Sequence, residues 1–128
     1  THKTSSAASD VYKRQIPNIV ITGPIGYLDF VALMASSTLA LTDSGGLQEE
    51  TTALGIPCIT LRENTERPIT VTEGTNTIVG CNPELIKRTA IDVLETGGKS
   101  GRIPELWDGK TSQRIADVLL QYISANGD

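Results

Sequence analysis

Histidine and cysteine are scarce in this 128-residue sequence, and their scarcity excludes several kinds of active site. The one histidine, His2, lies among the first fifteen residues, so the rest of the chain cannot build a Ser-His-Asp or Cys-His relay on its own. The two cysteines, Cys58 and Cys81, are too few for a disulfide framework and show no metal-ligand spacing. Because Cys58 lies in an apolar segment, we expect a buried free thiol in a reducing compartment rather than a disulfide. We expect no metal and no cofactor.

The sequence also lacks an excess of positive charge and any long apolar run. Eleven basic and fifteen acidic residues give a formal net charge of -4, which argues against nucleic acid or an anionic membrane as the partner. A small anionic ligand is compatible with this charge, because it needs only a few local donors. No apolar stretch approaches the roughly 20 residues of a membrane-spanning helix, and no secretory signal is recognisable. We therefore expect a cytoplasmic protein.

The first fifteen residues, "THKTSSAASDVYKRQ", differ in character from the remainder. They are polar, rich in serine and without hydrophobic periodicity, and the pattern changes abruptly where "IPNIVIT" begins. They resemble translated adaptor sequence. We interpret residues 1–15 as a non-native or disordered leader and residues 16–128 as one folded domain.

From residue 16 onward, apolar runs of strand length alternate with segments of helical periodicity. The predicted strands are residues 18–22, 38–42, 57–61 and 75–80, and the first two predicted helices are residues 27–36 and 46–55. A third helix is predicted to begin at Pro83, and its apolar face consists of Ile86, Ala90, Val93 and Leu94. The apolar face of the last predicted helix consists of Ile115, Val118, Leu119 and Tyr122. Gly55 and Gly97 are predicted to end two of these helices. The alternation predicts an α/β fold, a parallel sheet with helices on both faces. Ligands of such sheets bind beyond the carboxyl ends of the strands.

The sequence Asp43-Ser44-Gly45-Gly46 lies at such a strand end, where a helix begins. The first N–H groups of a helix have no partner within it, and glycines allow a ligand to approach that backbone closely. Because the helix end also carries partial positive charge, the turn suits a phosphate or diphosphate. The alternative is that Asp43 or Ser44 is a simple N-cap and the glycines only make a tight turn. The tetrapeptide alone supports both interpretations equally.

Glu49 and Glu50 follow on the same predicted helix, about 100° apart around its axis. They therefore cannot act as a facing acid–base pair. One of them could accept hydrogen bonds from sugar hydroxyls beyond the phosphates. The spacing alone favours the alternative, two surface glutamates that complement the helix dipole.

Arg67 and Phe30 complete the set of candidate site residues. Arg67, in "ENTERP", follows the next strand and could bind a diphosphate in a bidentate manner. Its alternative is a surface ion pair with Glu63 or Glu66. Phe30, the one phenylalanine, begins a predicted helix and either packs in the core or stacks on a flat base.

These segments together resemble a known family. The run from "YLDFVALMASSTLALTDSGGLQEE" through "TERP" to "TEGTNTIVG", with the terminal "DGKTSQRIADVL", resembles the C-terminal half of UDP-N-acetylglucosamine 2-epimerases of the non-hydrolysing bacterial type. The resemblance covers about residues 24–123 and is carried by the compound pattern F-x13-SGG-x3-E plus TERP. It implies a Rossmann-like domain, the UDP-binding half of a two-domain enzyme of the GT-B type.

The resemblance also implies roles for individual residues. The Ser-Gly-Gly turn (residues 44–46) matches the diphosphate-binding turn of the family, and Arg67 matches the arginine of TERP in the nucleotide site. Glu50 matches the glutamate that contacts the uridine ribose, and Phe30 matches the aromatic residue beside the uracil. The implied ligands are UDP-GlcNAc, UDP-ManNAc or UDP. The sequence departs from the family at Ile69, where a glutamate commonly follows TERP.

The family's N-terminal domain, with the carboxylates that transfer the C2 proton, has no counterpart in this sequence. The chain therefore resembles a fragment that lacks catalytic residues and is inactive alone. The whole enzyme is expected to interconvert UDP-GlcNAc and UDP-ManNAc by elimination and re-addition of UDP, as a homodimer that serves cell-envelope polysaccharide synthesis. The alternatives are the donor half of a hydrolysing UDP-GlcNAc 2-epimerase or of a GT-B glycosyltransferase, and a stand-alone module that binds nucleotide sugars.

Deleting residues 1–15 is expected to leave the melting temperature unchanged, because these residues contain no periodic apolar face to bury. Differential scanning calorimetry of the full and the shortened chain measures this directly. A marked drop in melting temperature would show that these residues belong to the fold.

Overall fold

The computed structural model of the protein describes residues 16–127, which fall into two compact units with a boundary between Ala32 and Leu33. Helix α1 (Tyr27–Ala35) crosses that boundary, close to where the sequence predicts a helix. The interpretation of residues 1–15 concerns a segment outside the described part and stays a prediction.

The strand predicted at residues 18–22 is wrong. These residues carry no strand, Asn18 has a left-handed conformation (φ 67°), and the Val20 side chain is 76% exposed. β-branched residues favour an extended backbone, but a strand also needs a neighbour that completes its hydrogen-bond ladder. No strand of the described residues pairs with this segment, so its propensity alone does not make it one.

The second unit contains a parallel sheet of three short strands in the order β1 (Ala40–Thr42), β2 (Cys58–Thr60) and β3 (Asn76–Ile78). The register pairs Thr42 with Thr60 and Thr60 with Ile78, so all three strands end at one edge. The predicted parallel α/β fold is confirmed. β1 is an edge strand of this sheet, and Leu41 is 46% exposed although the strand is largely apolar.

The helices of the second unit follow the strands in alternation. They are α2 (Gly45–Leu54), α3 (Pro68–Thr72), α4 (Pro83–Thr96) and α5 (Thr111–Ala125). Gly55 and Gly97 end α2 and α4 with left-handed backbones (φ 73° and 85°), as predicted. The five-residue helix α3 is not predicted by the sequence, because its β-branched residues favour strands and only Pro68 signals a helix start.

The two faces of β2 are covered by different kinds of side chain. Since successive side chains of a strand point to opposite faces, Ile59 faces one way and packs with Val79 and Val93. Partly buried apolar residues of the second unit surround this cluster: Leu39, Leu61, Leu85, Ile86 and Ala90. Leu94, predicted on the buried face of α4, is 59% exposed.

The other face of the sheet is polar, although it is equally buried. Gln48 and Thr51 of α2 and Thr60 and Asn76 of the strands are all at most 1% exposed. Buried polar groups are stable only when they are hydrogen-bonded, so this face depends on a network of specific contacts. The contacts of this face include Thr60, the last residue of β2.

The last helix, α5, has its apolar face on the surface. None of its residues is buried, and Ile115, Val118, Leu119 and Tyr122 are each more than half exposed. The sequence correctly places these residues at helical spacing. In the part of the chain that the structure describes, no helix is long and apolar enough to cross a membrane.

Candidate functional site

The candidate site lies beyond the carboxyl ends of β1 and β2. The Ser-Gly-Gly turn connects β1 to α2, and the segment of residues 61–67 connects β2 to α3. Because Thr42 and Thr60 are register partners, the two connections leave the sheet side by side. Parallel pairing thus brings together residues that are about twenty positions apart in the sequence.

Ser44 begins α2, but its side chain does not cap the helix. Its backbone is extended (φ -82°, ψ 128°), and its hydroxyl makes no capping hydrogen bond. Its N–H donates to Thr42 Oγ1 (3.0 Å), and its carbonyl accepts from Gln48 N (3.4 Å). Among the described residues the N–H groups of Gly45, Gly46 and Leu47 meet no acceptor, so they are free to bind an anion. Ser44 therefore occupies the N-cap position, but the alternative that its side chain caps the helix is wrong.

Neither glycine of the turn is required by the fold. A Cβ atom on Gly45 would approach no atom more closely than Arg67 Cγ, at 4.0 Å, and one on Gly46 would lie 3.9 Å from Ser44 Oγ. Both backbones are helical and suit any residue. By contrast, a Cβ on Gly74 would collide with the Thr70 carbonyl at 2.6 Å. The space beside Gly45 and Gly46 is therefore not filled by other residues that the structure describes.

Arg67 lies beside this turn, as the contact with Gly45 shows. Its Nε is 2.8 Å from Glu49 Oε1, and its Nη1 is 3.9 Å from Glu66 Oε2. Nε is buried yet makes no hydrogen bond of good geometry, so the contact with Glu49 is a charge contact with a poorly directed N–H. Of the two surface partners that the sequence suggests, Glu66 is a distant one and Glu63 makes no ion pair. The main partner, Glu49, is not predicted.

Glu49 and Glu50 both line a shallow cleft of about 360 Å³, together with Ala53 and Trp107. Glu49 points toward Arg67, and its side chain is 43% exposed. Glu50 makes no ion pair with any residue that the structure describes and is only partly buried, so its carboxylate is available to a ligand in the cleft. Trp107 is a wall residue that the sequence analysis missed, although the one tryptophan of the sequence, in a polar loop, is a usable signal.

Phe30 belongs to the first unit. It lies in α1, is half-buried, and its N–H donates to Gly26 O (2.9 Å). It is not part of the buried apolar cluster around Ile59. Its predicted position beside a base stays a prediction.

The thiols of the second unit are both free, Cys58 buried and Cys81 exposed, which confirms the predicted buried thiol. Burial raises the pKa of the Cys58 thiol, and hydrogen bonds with Thr51 and Thr60 oppose this only in part. A thiol with a raised pKa is a poor nucleophile. Among the described residues, no group of three or more histidine, cysteine, aspartate or glutamate side chains could hold a metal ion.

The fold and site together define a Rossmann-like α/β domain with an open helix N-terminus and an arginine beyond its parallel strands. The family model described as UDP-N-acetylglucosamine 2-epimerase matches residues 1–120 of the 128-residue chain. The chain belongs to this family, and the resemblance stated from the sequence is confirmed.

Curated relatives agree with this assignment. The UDP-N-acetylglucosamine 2-epimerase of Methanocaldococcus jannaschii is 47% identical over 102 residues, which are 79% of this chain and 27% of the relative. That of Methanococcus maripaludis is 39% identical over 113 residues, or 80% of this chain and 31% of the relative. The chain thus spans about 30% of the length of the relatives that it matches.

Solved structures share the fold. The UDP-GlcNAc 2-epimerase of Methanocaldococcus jannaschii, in complex with UDP-GlcNAc and UDP, superposes with a TM-score of 0.73 at 39% identity and covers 93% of this chain and 33% of that one. The enzyme of Neisseria meningitidis bound to UDP-GlcNAc gives 0.70 at 31% identity, over 94% of this chain and 34% of that one. The expected Rossmann-like domain is confirmed.

Gly45→Ala is expected to separate folding from anion binding. Because the added methyl group has room and replaces a helical glycine, the free energy of unfolding should rise by about 0.5–1 kcal/mol. The same methyl group would occupy the space through which an anion reaches the N–H groups. Binding of pyrophosphate, followed by the amide NMR shifts of residues 45–47, should weaken severalfold or more. Unchanged binding would contradict the assignment of this space to an anion.

Proposed function

We propose that this chain is the UDP-binding part of a UDP-N-acetylglucosamine 2-epimerase. The Ser-Gly-Gly turn and Arg67 bind the diphosphate, Glu50 accepts hydrogen bonds from the ribose, and Phe30 lies beside the uracil. The ligands are UDP-GlcNAc, UDP-ManNAc or UDP, as in the relatives whose structures contain UDP-GlcNAc and UDP. No metal or other cofactor is part of the proposal.

One observation carries the proposal, the position of Arg67 against the open N-terminus of α2. Three N–H groups that meet no acceptor among the described residues lie at the positive end of this ten-residue helix. The Arg67 side chain lies beside that end, with Cγ 4.0 Å from the place of a Cβ on Gly45, and its Nε is next to Glu49 on the same helix. A diphosphate supplies the negative charge and the several acceptor oxygens that this arrangement can satisfy. Glu50, further along the same helix, is then placed beyond the phosphates, where a sugar hydroxyl can donate to it.

The same donors explain the proposed chemistry of the whole protein. Elimination transfers the C2 proton to a base and breaks the bond between the anomeric carbon and the diphosphate oxygen, which leaves a 2-acetamidoglucal and UDP. Negative charge develops on the departing diphosphate, where the N–H groups of the turn and Arg67 would stabilise it. Re-addition of UDP to the glycal with the opposite configuration at C2 completes the epimerisation. We infer that the groups that move the C2 proton lie in the part of the enzyme that this chain does not span, since the chain covers 27% of the Methanocaldococcus jannaschii relative.

Two alternatives share this half of the site. A hydrolysing epimerase would release free ManNAc, and a GT-B glycosyltransferase would pass the sugar to an acceptor. The run SGGLQEE with the arginine of TERP favours an epimerase over a glycosyltransferase, as do the names of the relatives. The hydrolysing and non-hydrolysing epimerases share this half. Assay of the parent gene product on UDP-GlcNAc separates the three by their products: UDP-ManNAc, free ManNAc, or a glycosylated acceptor.

The proposal extends to the setting of the whole protein. We infer a homodimer, as the family resemblance implies, and a location in the cytoplasm, as the composition of the sequence suggests. The two free cysteines support a reducing compartment, and light scattering of the parent protein would measure its oligomeric state.

Ser44→Ala should weaken UDP binding by about 1–2 kcal/mol and leave uridine binding almost unchanged, because the lost hydroxyl serves only the diphosphate. The helix itself should not suffer, since this hydroxyl makes no capping bond. Isothermal titration calorimetry with both ligands gives the two affinities. Ser100→Ala, at an exposed serine outside the site, is the matched control. Equal losses for UDP and uridine would place the phosphates elsewhere.

The purified 128-residue chain should bind UDP but should not epimerise UDP-GlcNAc. Epimerisation needs a base and an acid on opposite faces of C2, each within hydrogen-bonding reach of the transferred proton. Glu49 and Glu50 are neighbours on one helix and line one cleft, so they cannot fulfil both roles. Proton NMR in deuterated buffer would detect exchange at C2 or the manno isomer. Either signal, if it were absent from a Ser44→Ala, Glu50→Ala variant, would reveal catalytic groups within this chain.

A further inference from the structure

The polar face of the sheet holds one connected set of hydrogen bonds that ends at Arg67. Its central member, Asn76 of β3, is fully buried. The Asn76 carbonyl oxygen accepts from the Thr60 hydroxyl (2.5 Å), and its amide group donates to Gln48 Oε1 (3.1 Å) and Thr70 Oγ1 (3.0 Å). One side chain thus connects two strands with α2 and α3.

Two branches run from Asn76 to the backbone of Arg67. In the first, Gln48 Oε1 also accepts from the Thr65 hydroxyl (2.5 Å), whose oxygen accepts from the Arg67 N–H (2.9 Å). In the second, the Thr70 hydroxyl donates to the Arg67 carbonyl (2.7 Å). Both polar backbone groups of Arg67 are therefore held by side chains of the set, and each hydroxyl of the branches both donates and accepts.

This arrangement contrasts with the loose hold on the Arg67 side chain. The Arg67 side chain is 41% exposed, and its ion pair with Glu49 is poorly directed, so this contact contributes little to holding the guanidinium in place. Arg67 is the N-cap of α3, and its carbonyl also accepts from the Thr70 N–H (3.0 Å). The position of the Arg67 side chain, whose Cγ lies beside Gly45, thus depends on the backbone of Arg67 and on the contacts that hold it.

We propose that Gln48, Thr65, Thr70 and Asn76 are positioning residues, which act through the backbone of Arg67 to hold its guanidinium at the diphosphate subsite. This inference rests on the proposed function. Its competitor is that the same hydrogen bonds only join α2 and α3 to the sheet. The two differ in their consequences. Loss of a positioning network weakens binding of the diphosphate selectively, whereas loss of a purely structural network lowers the stability and the affinity for all ligands alike.

Thr65→Val is the main test variant, because it keeps the shape of a half-buried side chain and removes only the hydroxyl. Gln48→Leu interrupts the same branch one step further from Arg67. The matched control is Thr75→Val, which removes a buried hydroxyl next to Asn76 that bonds instead to Ile56 O (2.7 Å). Calorimetric titration with UDP and with uridine is carried out on each variant of the full chain.

We expect both test variants to bind UDP about tenfold more weakly, because a tenfold loss corresponds to one hydrogen bond to a charged group. Their affinity for uridine should stay within about twofold of that of the unchanged protein. In an Arg67→Ala background the effect of Thr65→Val on UDP should shrink to about twofold or less, because coupled residues are not additive. Thr75→Val should change both ligands equally. Equal losses for UDP and uridine in Thr65→Val, or full additivity with Arg67→Ala, would overturn the inference.

A measurement without ligand separates this inference from the proposed function. The ¹H–¹⁵N signal of Arg67 Nε should move toward the value of a free arginine in Thr65→Val and Gln48→Leu, and should stay in place in Thr75→Val. If the unchanged chain binds UDP no better than uridine, the proposed function fails, and the Nε signal still decides the positioning role. An Nε signal that stays in place in both test variants would overturn that role, whatever the ligand results.

Discussion

The parallel pairing of three short strands is the constraint on which the rest of this structure depends. Because Thr42 and Thr60 are register partners, the turn after β1 and the segment after β2 begin at the same edge of the sheet. A shift of one residue would turn every side chain of β2 to the opposite face, which would bring Ile59 into the polar layer. The proximity of Arg67 to Gly45 is a consequence of this register.

The sheet divides the second unit into a stabilising side and a positioning side. Apolar burial around Ile59, Val79 and Val93 contributes stability without regard to direction. The opposite side uses directed hydrogen bonds centred on Asn76, which contribute less net free energy each but fix the positions of their partners. The directed contacts include those to the backbone of Arg67, a residue of the candidate site.

The charge balance of the site is compatible with the proposed binding of an anion by a protein that is acidic as a whole. Glu49 lies 2.8 Å from Arg67 Nε, so the guanidinium has a partial counter-charge before any ligand arrives. A single exposed carboxylate in poor geometry competes weakly with a diphosphate that also reaches three backbone N–H groups. In the proposed site the helix N-terminus and one arginine supply the positive charge, so that a net charge of -4 needs no basic surface.

Local signals in the sequence determined the alternation of elements, the caps at Gly55 and Gly97 and the position of the Ser-Gly-Gly turn, because each depends on residues a few positions apart. The same signals failed at residues 18–22, because this segment has a high strand propensity but no strand of the described residues pairs with it. Only the tertiary structure decided which residues meet: Glu49 with Arg67, Trp107 with the α2 glutamates, and Gln48 with an asparagine 28 positions away. Such contacts follow from the register of the sheet and the packing of helices on it, and no short stretch of sequence encodes either.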